Sequence, residues 1–262
     1  REMVAAHPDI FELAFVADDA ARIAGKGKII VYQSIENAYP LGEDVSLLRG
    51  FYKLGVRMVG PVHFRNNQFG DSATDKKQWN GLSPRGRELA ALANDLGMVL
   101  DASHASDDVF DQILEMSCAP IILSHSGCKS VFNHPRNIDD ARIKKLAAAG
   151  GTIQINSYNA YLINVPPNPE RDRERRALNG RLDGMDKMTP AEATAAIREV
   201  SAGMKMLNVK YATPRATIDD FMAHVTHALD LVGPEHVGIG CDWDGGGGVT
   251  GMEDVAAIAQ IT

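Results

Sequence analysis

Apolar and polar residues fall into blocks along this chain, short β-rich runs followed by longer stretches with helical spacing. Phe11–Ala24 places Phe11, Leu13, Ala14, Val16, Ala17, Ala20 and Ile23 close to one helical face, and Gly25 and Gly27 end it. Lys28-Ile29-Ile30-Val31-Tyr32 follows as a β-rich run leading to Ser34-Ile35-Glu36. Asp44–Leu54 reads as a helix stopped by Gly55, and Val56–Val62 as a strand ending at His63. Arg65–Asn80 is polar and reads as a loop. Ser83-Pro84 opens the next helix, with serine at the N-cap and proline in the first turn, and Gly97 closes it. Met98-Val99-Leu100 is a strand ending at Asp101 and His104, Asp107–Met116 a helix, and Pro120–Leu123 a strand ending at His125. Ile138–Ala148 is a helix closed by Gly150-Gly151, and Thr152–Ile155 a strand leading to Asn156 and Tyr158.

The alternation pauses over Pro166–Arg215, a charged, proline-containing stretch that is helical over Pro190–Lys205 and reads as an insertion or lid. It resumes with a helix at Ile218–Leu231, a strand at His236–Gly240 ending at Asp242, and the start of a helix over Met252–Ile261. Six strand-to-helix passes imply a parallel sheet. A single domain over 1–262 is expected, an α/β (β/α)8 TIM-type barrel lacking its amino-terminal strands and carboxyl-terminal helices, with 166–215 inserted in it. A doubly wound sheet is the second choice. The polar residues decide between them: Glu36, His63, His104, His125, Tyr158 and Asp242 all follow expected strands. In a barrel those ends meet at one mouth; in an open sheet, at about 4.8 Å per strand, they would spread over about 25 Å. Two further strands, expected at the amino terminus, would complete eight.

Composition narrows the function classes. A net charge of −7 argues against nucleic acid as a partner. No apolar run approaches the roughly 20 residues of a transmembrane helix. Arg1 is not a natural start, so a lost leader is left open; the chain is expected to be a soluble bacterial-type protein of cytoplasm or periplasm. Cys118, Cys128 and Cys241 have no CxxC spacing and read as small buried or half-buried thiols rather than a disulfide or zinc-thiolate framework.

His104 and His125 carry the sharpest signal, two imidazoles after consecutive parallel strands, close enough to grip one cation. Imidazole suits zinc, and Glu36 offers a carboxylate to complete the site. His63 reads as a third ligand or a group facing substrate. Asp242, directly after its strand and before four glycines, is placed to touch a metal or take a proton. Arg136 is a candidate fork for a substrate carboxylate; the competing reading is a surface arginine paired with Asp139 or Asp140. His224 and His227 read as structural, and His7, His134 and His236 lack supporting neighbours.

These motifs, in order, resemble the membrane dipeptidase (renal dipeptidase) family of metallopeptidases, which share the amidohydrolase-type barrel. The resemblance rests on Gly55-Val56-Arg57-Met58-Val59-Gly60-Pro61-Val62-His63, Asn66-Asn67, Asp71-Ser72, Asp101-Ala102-Ser103-His104, Ile122-Leu123-Ser124-His125-Ser126, Arg136-Asn137 and His236 through Gly245. It implies a dipeptide substrate and two zinc ions per active site. Glu36 matches the carboxylate that bridges them, and His104 and His125 the histidines that complete one site. His63 matches the histidine at the scissile carbonyl, Arg136 and Tyr158 the residues that hold substrate, and Asp242 the aspartate that handles the catalytic proton. A homodimer is left open. Two features depart from the family. Its first-strand His-x-Asp is not found at a matching place, because His7-Pro8-Asp9 has no strand before it, and Asn37 stands where a glycine usually follows the bridging glutamate. The first departure supports one alternative, a non-hydrolytic relative that binds or matures peptides with an incomplete metal site. An amidohydrolase of lactones or phosphotriesters would need a bridging lysine, and no lysine ends a strand here.

Overall fold

Short parallel strands, each followed by a helix, carry the architecture. The computed structural model describes residues 1–261; Thr262, the last residue of the expected domain, lies outside them. The chain divides into two units, 1–162 with 217–261, and 163–216.

The larger unit holds the strands β1 (Phe11–Leu13), β2 (Ile29–Val31), β3 (Gln33–Ile35), β4 (Val56–Val59), β5 (Val99–Leu100), β6 (Ile122–Cys128), β7 (Asn137–Ile138), β8 (Thr152–Ile155) and β9 (Val237–Ile239). Its helices are α1 (Glu2–Ala6), α2 (Asp18–Ala24), α3 (Leu48–Lys53), α4 (Pro84–Leu96), α5 (Asp107–Met116), α6 (Asp140–Ala148) and α7 (Asn159–Leu162), with a long helix over Ile218–Val232. Every pairing between these strands is parallel. β1 pairs with β2; β2 runs on into β3, which pairs with β4, and β4 with β5. A parallel bridge from Asp101 to Ile122 links β5 to β6, and the order continues through β8 to β9. The described residues thus supply seven consecutive parallel positions, one more than the six expected.

The extra position comes from a correction. Phe11–Ala24 is not one helix. Phe11–Leu13 is a strand in register with Ile29–Val31. The Asp19 carboxylate accepts from the backbone N–H of Phe15 (2.8 Å) and Val16 (3.1 Å), which holds the chain open there and starts the helix only at Asp18. The expected helix over Met252–Ile261 is a 3-10 segment at Val255–Ile261. Elsewhere local chemistry sets the boundaries as anticipated. The Ser83 hydroxyl accepts from Gly86 N–H, Pro84 opens α4, and Gly97 closes it in the left-handed conformation (φ 67°). The buried apolar core draws Val59, Leu100, Leu123, Ile153 and Ile155 from the strands and Leu89, Phe110, Ile113, Ile143, Leu146 and Phe221 from the helices.

The smaller unit is a helical hairpin of α8 (Pro169–Asn179) and α9 (Pro190–Lys210), and the segment expected as an insertion lies within it. The helix over Ile218–Val232 is therefore α10. The Thr189 hydroxyl and Glu192 carboxylate form a capping box at the start of α9. Glu174 of α8 accepts from Lys210 (2.7 Å) and Tyr211 (2.8 Å) at its far end. Among the described residues no helix is long and apolar enough to cross a membrane.

Candidate metal centre

Glu36, His63, His104, Tyr158 and Asp242 lie beyond the carboxyl ends of their strands. Glu36 follows β3, whose end is pinned by Gly60 N–H to Ile35 O and Ala38 N–H to Gly60 O, both 2.9 Å. The turn after Glu36 puts Asn37 at φ 69°, a left-handed conformation that glycine adopts freely and asparagine tolerates. That explains the departure at this position, and the side chain adds an anchor: Asn37 Oδ1 accepts from Tyr39 N–H (3.2 Å) and Asn67 Nδ2 (3.0 Å). His63 lies four residues beyond β4. The Ser72 hydroxyl donates to its carbonyl (2.5 Å), and Ala73 N–H donates to His104 O (2.9 Å), so the loop expected over Arg65–Asn80 buttresses both histidines. His104 follows β5. His125 sits inside β6 rather than at its end, because the strand continues through Ser126 and Gly127 to Cys128.

Three of these groups converge. Glu36 Oε1 lies 3.0 Å from His104 Nε2 and 3.2 Å from His125 Nε2, and the two ring nitrogens are 2.9 Å apart. Donors about 2.0–2.2 Å from a tetrahedral zinc lie about 3.4 Å from one another, so the triangle is close to the size one ion needs. Two imidazoles and a carboxylate are also the donor set that suits zinc. The three form the metal-compatible cluster found among the described residues. Protonation agrees. Burial pushes His104 down to about 3, leaving it neutral at pH 7, while the imidazoles of His104 and then His125 beside it hold Glu36 well below the usual carboxylate range.

His63 flanks the cluster, its Nε2 3.7 Å from Glu36 Oε1 and its ring 4.2 Å from that of His104; burial lowers its pKa. Asp242 begins the glycine-rich turn at φ 59°, its carbonyl accepting from Gly245 and from Gly247 (2.7 Å). A side chain on Gly247 would overlap Cys241 O, so glycine is required there for the chain to close round Asp242. Burial raises the pKa of Asp242, and it shares the electrostatic environment of His125, Glu36, Arg136 and His63.

Arg136 is not a surface residue. It is 3% exposed, with Nη2 donating to His125 O (3.0 Å), Nη1 to Ser103 O, and Nε unpartnered. Asp139 is taken by Arg142, and Asp140 by His227 and Ser130, which removes the pairing weighed for a surface arginine. Burial lowers the Arg136 pKa, and the guanidinium lies 5.3 Å over the ring of Tyr161. Tyr158 packs on Tyr161 with ring centroids 4.6 Å apart. Tyr161, pushed up to about 12 by burial, was not anticipated; the i, i+3 spacing of the two tyrosines was its only trace. Asp101, Ser103 and Ser124 were also missed, although a serine precedes each of the two histidines in the cluster.

The sequence model of the membrane dipeptidases (peptidase family M19) matches residues 1–262. The chain belongs to that family. Among curated relatives, dipeptidase tcpJ of Claviceps purpurea (strain 20.1) is 31% identical over 257 residues, 97% of this chain and 49% of the relative. The crystal structure of the probable dipeptidase PvdM from Pseudomonas aeruginosa superposes with a TM-score of 0.78 at 30% identity, covering 99% of this chain and 69% of that one. A metallopeptidase from Rhodobacter sphaeroides, liganded with a phosphinate mimic of L-Ala-D-Ala, shares the fold at TM-score 0.71 and 23% identity, covering 96% and 60%. The fold is the α/β TIM-type barrel of the membrane dipeptidases. This family member spans about half the length of the curated relatives it matches.

Proposed function

We propose that this member of the family is a zinc-dependent dipeptidase whose ligands in this chain are Glu36, His104 and His125. The observation that carries the reading is the triangle of donor atoms 2.9–3.2 Å on a side. When bound, zinc lowers the pKa of water to about 7 and so supplies a hydroxide nucleophile at neutral pH. Two ions are expected in the whole protein, with Glu36 shared between them.

The chain's own residues supply the rest. His63, beside the cluster and kept neutral by partial burial, donates its N–H to the carbonyl oxygen as negative charge develops there. Asp242 accepts the proton of the attacking water on its carboxylate and returns it to the leaving amine; its raised pKa brings it closer to the range for that exchange. Arg136 and Tyr158 hold the free carboxylate of the substrate, which limits length to two residues; the unpartnered Nε of a buried guanidinium supports this.

Zinc content and hydrolysis of a panel of L,L- and L,D-dipeptides, measured on the full-length protein and on His125→Ala, test the proposal. Activity with bound zinc, both lost in the variant, is the expected result. Full activity in His125→Ala would sink it, and zinc binding without turnover of any dipeptide would favour the peptide-binding alternative.

A further inference from the structure

Asp101 follows β5 as a buried carboxylate and receives four donors from two serines. Its Oδ1 accepts from Ser103 N–H (3.0 Å), Ser103 O–H (2.6 Å) and Ser124 N–H (3.1 Å), and its Oδ2 from Ser124 O–H (2.5 Å). The other side of the Ser124 oxygen faces His125 Nδ1 at 2.8 Å. A carboxylate only accepts, and a serine has one proton. With that proton committed to Asp101, Ser124 Oγ can only accept from His125, so Nδ1 must carry the hydrogen. A neutral imidazole has a single N–H, which leaves Nε2 as an open lone pair, and Nε2 is the atom that meets Glu36 and His104.

We propose that Asp101, acting through Ser124, is a positioning residue that sets His125 in the Nδ1–H tautomer and so presents Nε2 for metal. The same carboxylate also fixes the backbone of His125. Ser103 spends its proton on Asp101 Oδ1, and its oxygen accepts from His125 N–H (3.1 Å). Ring and main chain of one ligand are thus held from a single point on the neighbouring strand. His104 has no equivalent, since its Nδ1 is buried without a partner. The tautomer stands on the hydrogen-bond geometry alone; its effect on zinc affinity rests on the metal centre proposed above.

Long-range 1H–15N spectra of the metal-free protein at pH 8, with His125→Gln to assign the signals, read the tautomer directly. The expected spectrum shows His125 protonated at Nδ1 and bare at Nε2. In Ser124→Ala that preference is lost, and zinc affinity, measured by competition with a chelating dye, falls about 10- to 100-fold, the usual effect of losing a ligand's outer partner. Ser124→Thr retains the hydroxyl and restores both, which a merely structural contact would not require. A wild-type His125 protonated at Nε2, or a folded Ser124→Ala with unchanged tautomer and zinc affinity within twofold, overturns the proposal. A wild-type protein with the expected tautomer that takes up no zinc would support the relay and overturn the metal centre, so the two readings fail separately.

Discussion

Acid should loosen the strand that carries His125, and His224 makes the effect measurable. His224 lies on α10, fully buried, with its Nδ1 accepting from Cys128 N–H (2.9 Å) at the end of β6. Burial moves its pKa from 6.5 to about 4. The folded protein therefore keeps this imidazole neutral, while the unfolded chain takes up a proton below pH 6.5. The stability contribution is complete above pH 6.5 and is lost as pH falls toward 4. At 1.36 kcal/mol per pH unit, the whole window is about 3.4 kcal/mol, and about 2.5 kcal/mol of it is lost between pH 7.5 and pH 4.5. His224→Asn should keep an acceptor near Nδ1 and remove the titration. Its smaller side chain lowers stability at every pH, but its pH dependence should be shallower than wild type by about 2.5 kcal/mol over that interval. Urea unfolding at the two pH values, with a chelator present so that metal adds no pH dependence of its own, gives the comparison. Both proteins share His104, so its titration cancels. Equal slopes for wild type and variant would refute the assignment.

Two further outcomes follow from local geometry. Asn37→Ala keeps a β-carbon at φ 69° but loses the polar side chain that makes this conformation tolerable and that accepts from Tyr39 and Asn67, so it should cost about 1–2 kcal/mol or more, whereas Asn37→Gly loses the anchor but also sheds the β-carbon and should cost less; equal thermal stability of the two variants would count against the backbone explanation. Arg57 donates to the carbonyls of Phe15 (2.6 Å), Tyr52 (2.9 Å) and Val56 (2.8 Å) and lies over the ring of Tyr52 (3.9 Å). Arg57→Ala should lower unfolding free energy by about 2–3 kcal/mol, and Arg57→Met, which keeps the stem, by about half of that; a loss under about 0.5 kcal/mol for alanine would show that the three bonds are idle.

What could be read from the chain beforehand depended on how local the cause was. Ser83-Pro84 and Gly97 bound α4 through their own backbone preferences, so its limits were visible. Glu36, His104 and His125 were legible because each is a polar residue stranded after an apolar run, and parallel strands bring such positions together. Phe11–Leu13 was hidden because Phe-Glu-Leu-Ala-Phe-Val satisfies strand and helix spacing alike, and pairing with β2 decided it. β6 outran its apolar run because Ser124, His125 and Ser126 face hydrogen-bond partners on distant segments. Arg136 gave no sign of burial, since what receives its guanidinium is the main chain of Ser103 and His125 and the face of Tyr161, none of them near it in sequence.

The bridge between Asp101 and Ile122 is the narrowest backbone join along the strand order. Glu36 and His104 stand on one side of that seam and His125 on the other. An ion gripped by all three would act as a rivet across two half-barrels. Its cargo would then be mechanical as well as chemical: taking the ion away would blunt a nucleophile and also free two plates to slide at the line where the backbone holds them least.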